Sequence, residues 1–240
     1  MTIKNNIPNA ITSMNLFSGV LATVFAVNGE LHTATILIFC GAVFDYFDGF
    51  VARLLHVSSD IGKELDSLAD LISFGFAPAA MYSTYNKYLL TGSFTTHISE
   101  LSAHDLAWTL APLILVVFSA LRLAKFNLDT RQTETFLGLT TTATGLFTAS
   151  LLWSVVDNLE MFDWVRPVYV VILVCIFSAL LVSEIPMFSL KIKHFQIHGN
   201  EMRFILILIA IVSIFLFGLG GLAFTIALYI IFSLLRAIIA

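Results

Sequence analysis

The chain has 240 residues, 58% of them hydrophobic and only 12% charged, and its mean hydropathy is +0.93. A soluble domain is about 45–50% apolar and about 25% charged, so the composition excludes a water-soluble globule and describes an integral membrane protein. The net charge of −4, with no basic block or aromatic-basic stripe, excludes nucleic acid as a partner.

In chain order, the first apolar run covers about 17 residues and ends without a small-x-small cleavage pattern, so it reads as a retained helix rather than a signal peptide. A span needs about 20 apolar residues. Segments 11–28, 34–54, 63–90, 106–127, 138–156, 166–183, 203–217 and 219–238 qualify as eight candidates. The last two are short and separated only by Gly218–Gly221; a two-helix hairpin is expected there, with one long kinked segment as the alternative. These long unalternating runs exclude a β-barrel. The expected fold is therefore all-α, a polytopic transmembrane helix bundle. No internal repeat appears, and residues 1–240 read as a single domain with core spans over about 11–183 and two extra helices over 203–238. Cys40 and Cys175 lie inside apolar runs without a CxxC partner, which implies neither a disulfide nor a thiolate metal site.

Lysine and arginine set the sidedness. Lys4, Arg53, Lys63, Arg122, Lys125, Arg131, Lys191, Lys193, Arg203 and Arg236 fall at one set of ends of the eight-span arrangement, and only Lys87 and Arg166 at the other. The positive-inside rule then puts both termini in the cytoplasm of a protein of the inner membrane. His194 and His198, four apart in the 184–202 connection, have no third ligand and read as surface residues.

Within the stretch 44–75, Asp45, Asp48, Asp66 and Asp70 sit at the inner ends of two apolar runs. A carboxylate costs roughly 2.5–3.5 kcal/mol near the centre of a membrane helix, so four of them need a reason. Asp45 and Asp48 are three apart and Asp66 and Asp70 four apart, so each pair shares a helical face. At 1.5 Å per residue, Asp48 lies about 8 Å above Arg53 and Asp66 about 6 Å above Gly62, which brings all four to one depth if a short loop joins the helices. Gly41, Gly49, Ala52, Gly62, Ala69 and Ser73 accompany them, small enough to let backbones or a ligand approach. Two of the aspartates could simply pair with Arg53 and Lys63. Otherwise a cluster of carboxylates needs positive charge to stay ionised. Oxygen ligands without His or Cys select Mg²⁺, Mn²⁺ or Ca²⁺. Four can hold two such ions about 3.5–4 Å apart, the arrangement used for phosphoryl displacement.

The pattern Asp45-x2-Asp48-Gly49-x2-Ala52-Arg53-x8-Gly62-x3-Asp66-x3-Asp70 resembles the signature of the CDP-alcohol phosphotransferases at every fixed position. Within that family, "IPNAITSMNLFSG", "LDSLADLISFGFAPA", "LRLAKFN" and "VSEIPMFSLK" are similar to the membrane-embedded phosphatidylserine synthases. Phe50, Lys125 and Thr140 depart from the pattern, standing where Arg, Arg and Pro are commoner. The resemblance implies CDP-diacylglycerol and L-serine as substrates and CMP as a product, in contact with membrane lipid. It implies Asp45, Asp48 and Asp66 as metal ligands and Asp70 as the base on the serine hydroxyl, itself able to touch one metal. Asn9, Thr12, Gly49, Arg53 and Ser59 become the nucleotide and phosphate contacts, although Asn9 also fits an N-cap of the first span. Arg122, with Lys125 one turn away, becomes the candidate for the serine carboxylate, against the alternative of a lipid-anchoring cation. A homodimer and an active site facing the cytoplasm are further implications.

Two other readings compete. Glycerol 3-phosphate, inositol phosphate or choline could replace serine as acceptor with the same chemistry. A divalent-cation transporter would spread acidic residues through the bilayer depth in related halves, which 138–238 do not mirror. The absence of any His-x-Lys excludes the unrelated serine transferases that use a covalent histidine.

Overall fold

Along the first helix, small and polar side chains face inward and large apolar ones outward, the reverse of a soluble protein. In the computed structural model, which describes residues 3–129, 136–187 and 200–239, helix α1 covers Ile3–Val27. It buries Pro8, Thr12, Asn15, Ser18, Ala22 and Ala26 on one face while Phe17, Val20 and Val24 are exposed. Helix α2, Leu31–Leu55, repeats the arrangement, burying Ala34, Ile38, Gly41 and Asp48 and exposing Ile36, Val43 and Phe47. With lipid as solvent there is no gain in hiding apolar bulk, and small residues let helices close on one another.

Helix α3, Asp60–Asp70, runs through a π turn, Leu71–Phe76, into α4, Ala77–Thr91. Helix α5, Ala103–Leu110, continues through a 3₁₀ turn into α6, Ile114–Leu128. Then follow β1 (Phe136–Leu137), α7 (Thr141–Asp157), α8 (Pro167–Val182), β2 (Pro186–Met187), α9 (Glu201–Phe217) and α10 (Gly221–Ile239). The two strands pair antiparallel, Phe136 with Met187 and Leu137 with Pro186. Among the described residues the fold is all-α apart from this clasp.

Among the described residues, four segments are long and apolar enough to cross a membrane: Asn6–Val27, Leu31–Leu55, Ala103–Leu128 and Glu201–Ala237, with Pro167–Val182 a shorter apolar helix. The fourth is not straight. Gly218 adopts φ +59°, ψ −149°, a conformation open essentially to glycine alone, and α9 and α10 pack against each other. A Cβ on Gly221 would lie 2.1 Å from the Ser213 carbonyl oxygen, so the turn is tight and the segment is a hairpin.

The interior centres on Tyr82, Phe74, Ile38, Met81, Leu115, Leu152 and Val174. The π turn passes through it at close quarters. A Cβ on Gly19 would meet the Ser73 Cα at 2.6 Å, and one on Gly75 the Ser119 Cβ at 2.9 Å. The Ser73 hydroxyl donates to the Asn15 carbonyl at 2.9 Å, tying the turn to α1. At the end remote from the aspartates, His32 meets Asp157 at 2.9 Å and Trp153 edge to face, linking α2 to α7. Arg131, Lys191, Lys193, His194 and His198 lie outside the described residues.

Candidate functional site

The aspartates meet because of how α2 stops and α3 starts. At the end of α2, His56 takes a left-handed conformation, φ 53°, and its N–H bonds back to the Ala52 and Arg53 carbonyls. Only His56–Ser59 separate the helices, shorter than the loop of about eight residues that the apolar runs suggest. Ser59 then caps α3, its Oγ accepting the Gly62 N–H at 3.0 Å. Helix α1 packs against both α2 and α3, while those two hardly touch each other. A cleft is left between them, floored by α1.

That cleft is a cavity of about 280 Å³. Asn9 and Thr12 of α1, Asp48 and Gly49 of α2, and Ser59 and Asp66 line it. Oxygen atoms of Asp45, Asp48 and Asp66 all lie within 4.8 Å of one another. Asp70 joins them through side-chain contact with Asp45, and its Oδ1 receives the Asn15 Nδ2 at 3.4 Å. Asp48 in turn interacts with the Thr12 hydroxyl. The Arg53 guanidinium lies over Gly49, where a Cβ would be 3.4 Å from Nη1. Gly62 lets α1 and α3 close, since a Cβ there would sit 2.8 Å from Asn9 Oδ1.

Asp48 Oδ2 and Asp66 Oδ1 are buried without a hydrogen-bond partner. Among the described residues, His32 pairs with Asp157 and His104 with Asp105, and none of the four aspartates forms an ion pair. Of the two cations that could neutralise aspartates, Lys63 is directed elsewhere, its Nζ donating to the Asn127 carbonyl at 3.3 Å, whereas Arg53 lies close enough to Asp48 for their charges to interact without forming an ion pair. Converging carboxylate oxygens, two of them without a donor, fit a hard divalent cation, and Asp45, Asp48 and Asp66 could hold one. The N-cap reading of Asn9 also fails: α1 begins at Ile3, so Asn9 lies inside it, and its carbonyl accepts the Ser13 hydroxyl at 2.8 Å.

Arg122 and Lys125 belong to a second cavity, of about 380 Å³, shared with Phe126, Asp129, Leu181 and Glu184. Arg122 is 7% exposed, with its guanidinium 4.7 Å from the centre of the Phe126 ring, and lies close enough to Asp70 for their charges to interact. Exposed Lys125 reaches the last turn of α8, donating to the Val182 carbonyl at 3.4 Å. The chain Lys63–Asn127–Ser67 fixes α6 beside α3, with Asn127 Nδ2 donating to Ser67 Oγ at 2.9 Å. This tie holds Arg122 beside the aspartates.

Sequence reasoning missed Asn15 beside Asp70, and Asp129 and Glu184 as lining of the second cavity. The first gave no periodic signal of its own, although it stands on the buried face of α1 with Thr12, Ser18 and alanines. The other two lie 55 residues apart, with no local pattern to join them.

The sequence profile of the CDP-alcohol phosphatidyltransferases matches residues 5–178. A protein of Bacillus subtilis (strain 168) named CDP-diacylglycerol–serine O-phosphatidyltransferase is 33% identical over 197 residues, 82% of this chain and 95% of its own length. A Helicobacter pylori (strain ATCC 700392 / 26695) protein of the same name is 29% identical over 232 residues, 95% of this chain and 90% of its own. One from Methanocaldococcus jannaschii is 35% identical over 133 residues, 55% of this chain and 53% of its own. The chain belongs to the CDP-alcohol phosphatidyltransferase family and is a transferase of phospholipid synthesis built into a membrane.

Proposed function

We propose that this CDP-alcohol phosphatidyltransferase moves the phosphatidyl group of CDP-diacylglycerol onto the hydroxyl of L-serine and releases CMP. The observation that carries the reading is the convergence of Asp45, Asp48 and Asp66 within 4.8 Å, beside Asp70, with Asp48 and Asp66 on the wall of one cavity. Serine as acceptor is supported by the names of the relatives.

Asn9, Thr12, Gly49, Arg53 and Ser59 hold the cytidine diphosphate head group in the cleft between α2 and α3. Asp45, Asp48 and Asp66, with an oxygen of Asp70, are the residues that would hold two divalent ions, Mg²⁺ or Mn²⁺, with Ca²⁺ as a third candidate. Such ions supply charge neutralisation at the pyrophosphate and at the departing CMP oxygen. Asp70 accepts the proton of the serine hydroxyl as that oxygen bonds to the phosphorus bearing diacylglycerol. The bond from that phosphorus to the CMP oxygen breaks in the same displacement, with no covalent enzyme intermediate. Arg122 receives the serine carboxylate, with Lys125 as a second cation nearby.

The whole chain acts as one catalytic domain of eight spans, with α9 and α10 appended to the core. Both termini and the site face the cytoplasm from the inner membrane, where the soluble acceptor and CMP exchange while acyl chains stay in lipid. The functional unit is a homodimer. The test is CMP release by the purified protein in detergent, with CDP-diacylglycerol, each metal, and serine, glycerol 3-phosphate, inositol phosphate or choline in turn. Serine-dependent release of CMP with formation of phosphatidylserine is expected; release only with another acceptor overturns the serine reading.

A further inference from the structure

The last torsion of an aspartate side chain is broad, so a carboxylate that takes a proton from one direction needs a neighbour to fix its plane. For Asp70 that neighbour is Asn15 of α1, whose Nδ2 donates to Oδ1 at 3.4 Å. We propose that Asn15 is a positioning residue for the reaction, holding the Asp70 carboxylate in the plane from which it takes the acceptor's proton, and that Gly41 of α2 keeps the room its amide needs. The inference rests on the reading of Asp70 as the base given above.

The first support is the way the amide faces. An ionised carboxylate only accepts, so the nitrogen of the Asn15 amide has to face Asp70 and the oxygen has to point away. That oxygen finds no donor: Asn15 is 0% exposed, and its Oδ1 is buried without a hydrogen-bond partner. An unsatisfied buried acceptor costs about 1–3 kcal/mol. An alanine, like Ala22 and Ala26 on the same buried face, would avoid that penalty. Packing therefore disfavours the amide, and what the amide adds is its bond to Asp70.

The second support is that Asn15 grips the chain twice. Its backbone carbonyl accepts the Ser73 hydroxyl at 2.9 Å, from within the π turn that begins directly after Asp70. One residue of α1 thus holds the base by its side chain and the following turn by its backbone. Gly41 closes the box from α2, one helical turn before Asp45. A Cβ there would lie 3.0 Å from Asn15 Oδ1 and 3.6 Å from Ser73 Cβ. A larger residue at that position presses on the amide oxygen and turns the nitrogen away from Asp70.

The third support sets the kind of effect to expect. A base works within about 2.6–3.2 Å of the hydroxyl it deprotonates, and a misplacement of about 1 Å costs on the order of 10²-fold in rate. Neither Asn15 nor Gly41 is among the described residues lining the two cavities. Loss of the Asn15 donor should therefore slow the chemical step and leave both substrates bound as before.

The experiment is steady-state kinetics of the full-length protein in detergent at saturating metal, on wild type, Asn15→Leu, Asp70→Asn and the double variant. Asn15→Leu keeps a branched side chain and removes the donor. Its kcat should fall about 10–100-fold, with the KM for serine and for CDP-diacylglycerol each within about twofold of wild type. Its melting temperature should hold or rise, because the unpaired oxygen is removed as well. In the Asp70→Asn background the same substitution should lower kcat by less than about twofold, since its effect passes through the Asp70 carboxylate. Gly41→Ala should lower kcat by a smaller factor with the same unchanged KM values, and it carries the test should Asn15→Leu lose its fold. An unchanged kcat in Asn15→Leu, or an equal fall with and without the Asp70 carboxylate, overturns the positioning role. A lower melting temperature with kcat and both KM values moving together overturns it too, as the mark of a merely structural residue. If Asp70→Asn keeps wild-type turnover, the base reading fails and the inference with it. If Asp70→Asn loses turnover while Asn15→Leu keeps it, the inference alone fails.

Discussion

The two cavities are built in opposite ways. The one between α2 and α3 draws all its lining from residues 8–66, so consecutive helices and a four-residue link assemble it. The one beside Arg122 is closed by Arg122–Asp129, Leu137 and Leu181–Glu184, pieces that meet only when α6, α8 and the β-clasp pack together. The first gathers carboxylates and small residues; the second mixes charges of both signs at two helix ends. A shared reaction can be encoded in short-range spacing, while the choice of alcohol depends on long-range packing. The divide between them runs through Asp70 and Arg122, whose charges interact across it.

Experiments can break that division. Asp70→Asn should reduce phosphatidyl transfer by about 10²–10⁴-fold, the usual range for a lost general base, while CDP-diacylglycerol binding is largely retained. Equal loss of donor binding would show that Asp70 serves the first cavity only. Arg122→Gln should raise the KM for serine about 10–100-fold with the donor KM little changed. A matching rise in donor KM would merge the two sites into one. Chelation should remove turnover, and Mg²⁺ or Mn²⁺ should restore it; in Asp66→Asn the metal concentration needed should rise by about 10-fold or more. Gly19→Ala drives a methyl onto the Ser73 backbone, where its Cβ would meet Cα at 2.6 Å. It should cost about 1–3 kcal/mol of stability, read as a lower melting temperature, and displace Asp70 with it. Thr140→Ala removes the hydroxyl that accepts the Ala143 N–H and caps α7 beside the clasp. About 1 kcal/mol of destabilisation is expected, with the acceptor KM moving more than the donor KM.

What could be read from sequence follows the same line. Helix positions and the meeting of four aspartates follow from apolar run length and from spacings of three and four residues, because those are local rules. Thr140, which looked like a departure from the family's pattern, has a local role as well: it is the N-cap of α7. Asn15 was harder, since its contact with Asp70 crosses from α1 to α3 and asparagine has no periodic signature. The splay of α2 from α3 was invisible too. A short link suggests closely packed partners, whereas packing of each against α1 holds them apart. Asp129 and Glu184 depend on where α6 and α8 end, and no spacing rule connects them.

The π turn at Leu71–Phe76 has a consequence for descent as well as for structure. Such a turn accommodates one residue more than the α-helical turn it replaces. Losing that residue would rotate everything from Ala77 onward by about 100° relative to Asp66 and Asp70. The aspartate motif would survive and the apolar length would barely change. Yet Gly75 would no longer face Ser119, and the shaft would be clocked wrongly against its neighbours. Single-residue deletions between Asp70 and Ala77 should therefore be purged as strictly as changes to the motif itself, though no catalytic atom is touched.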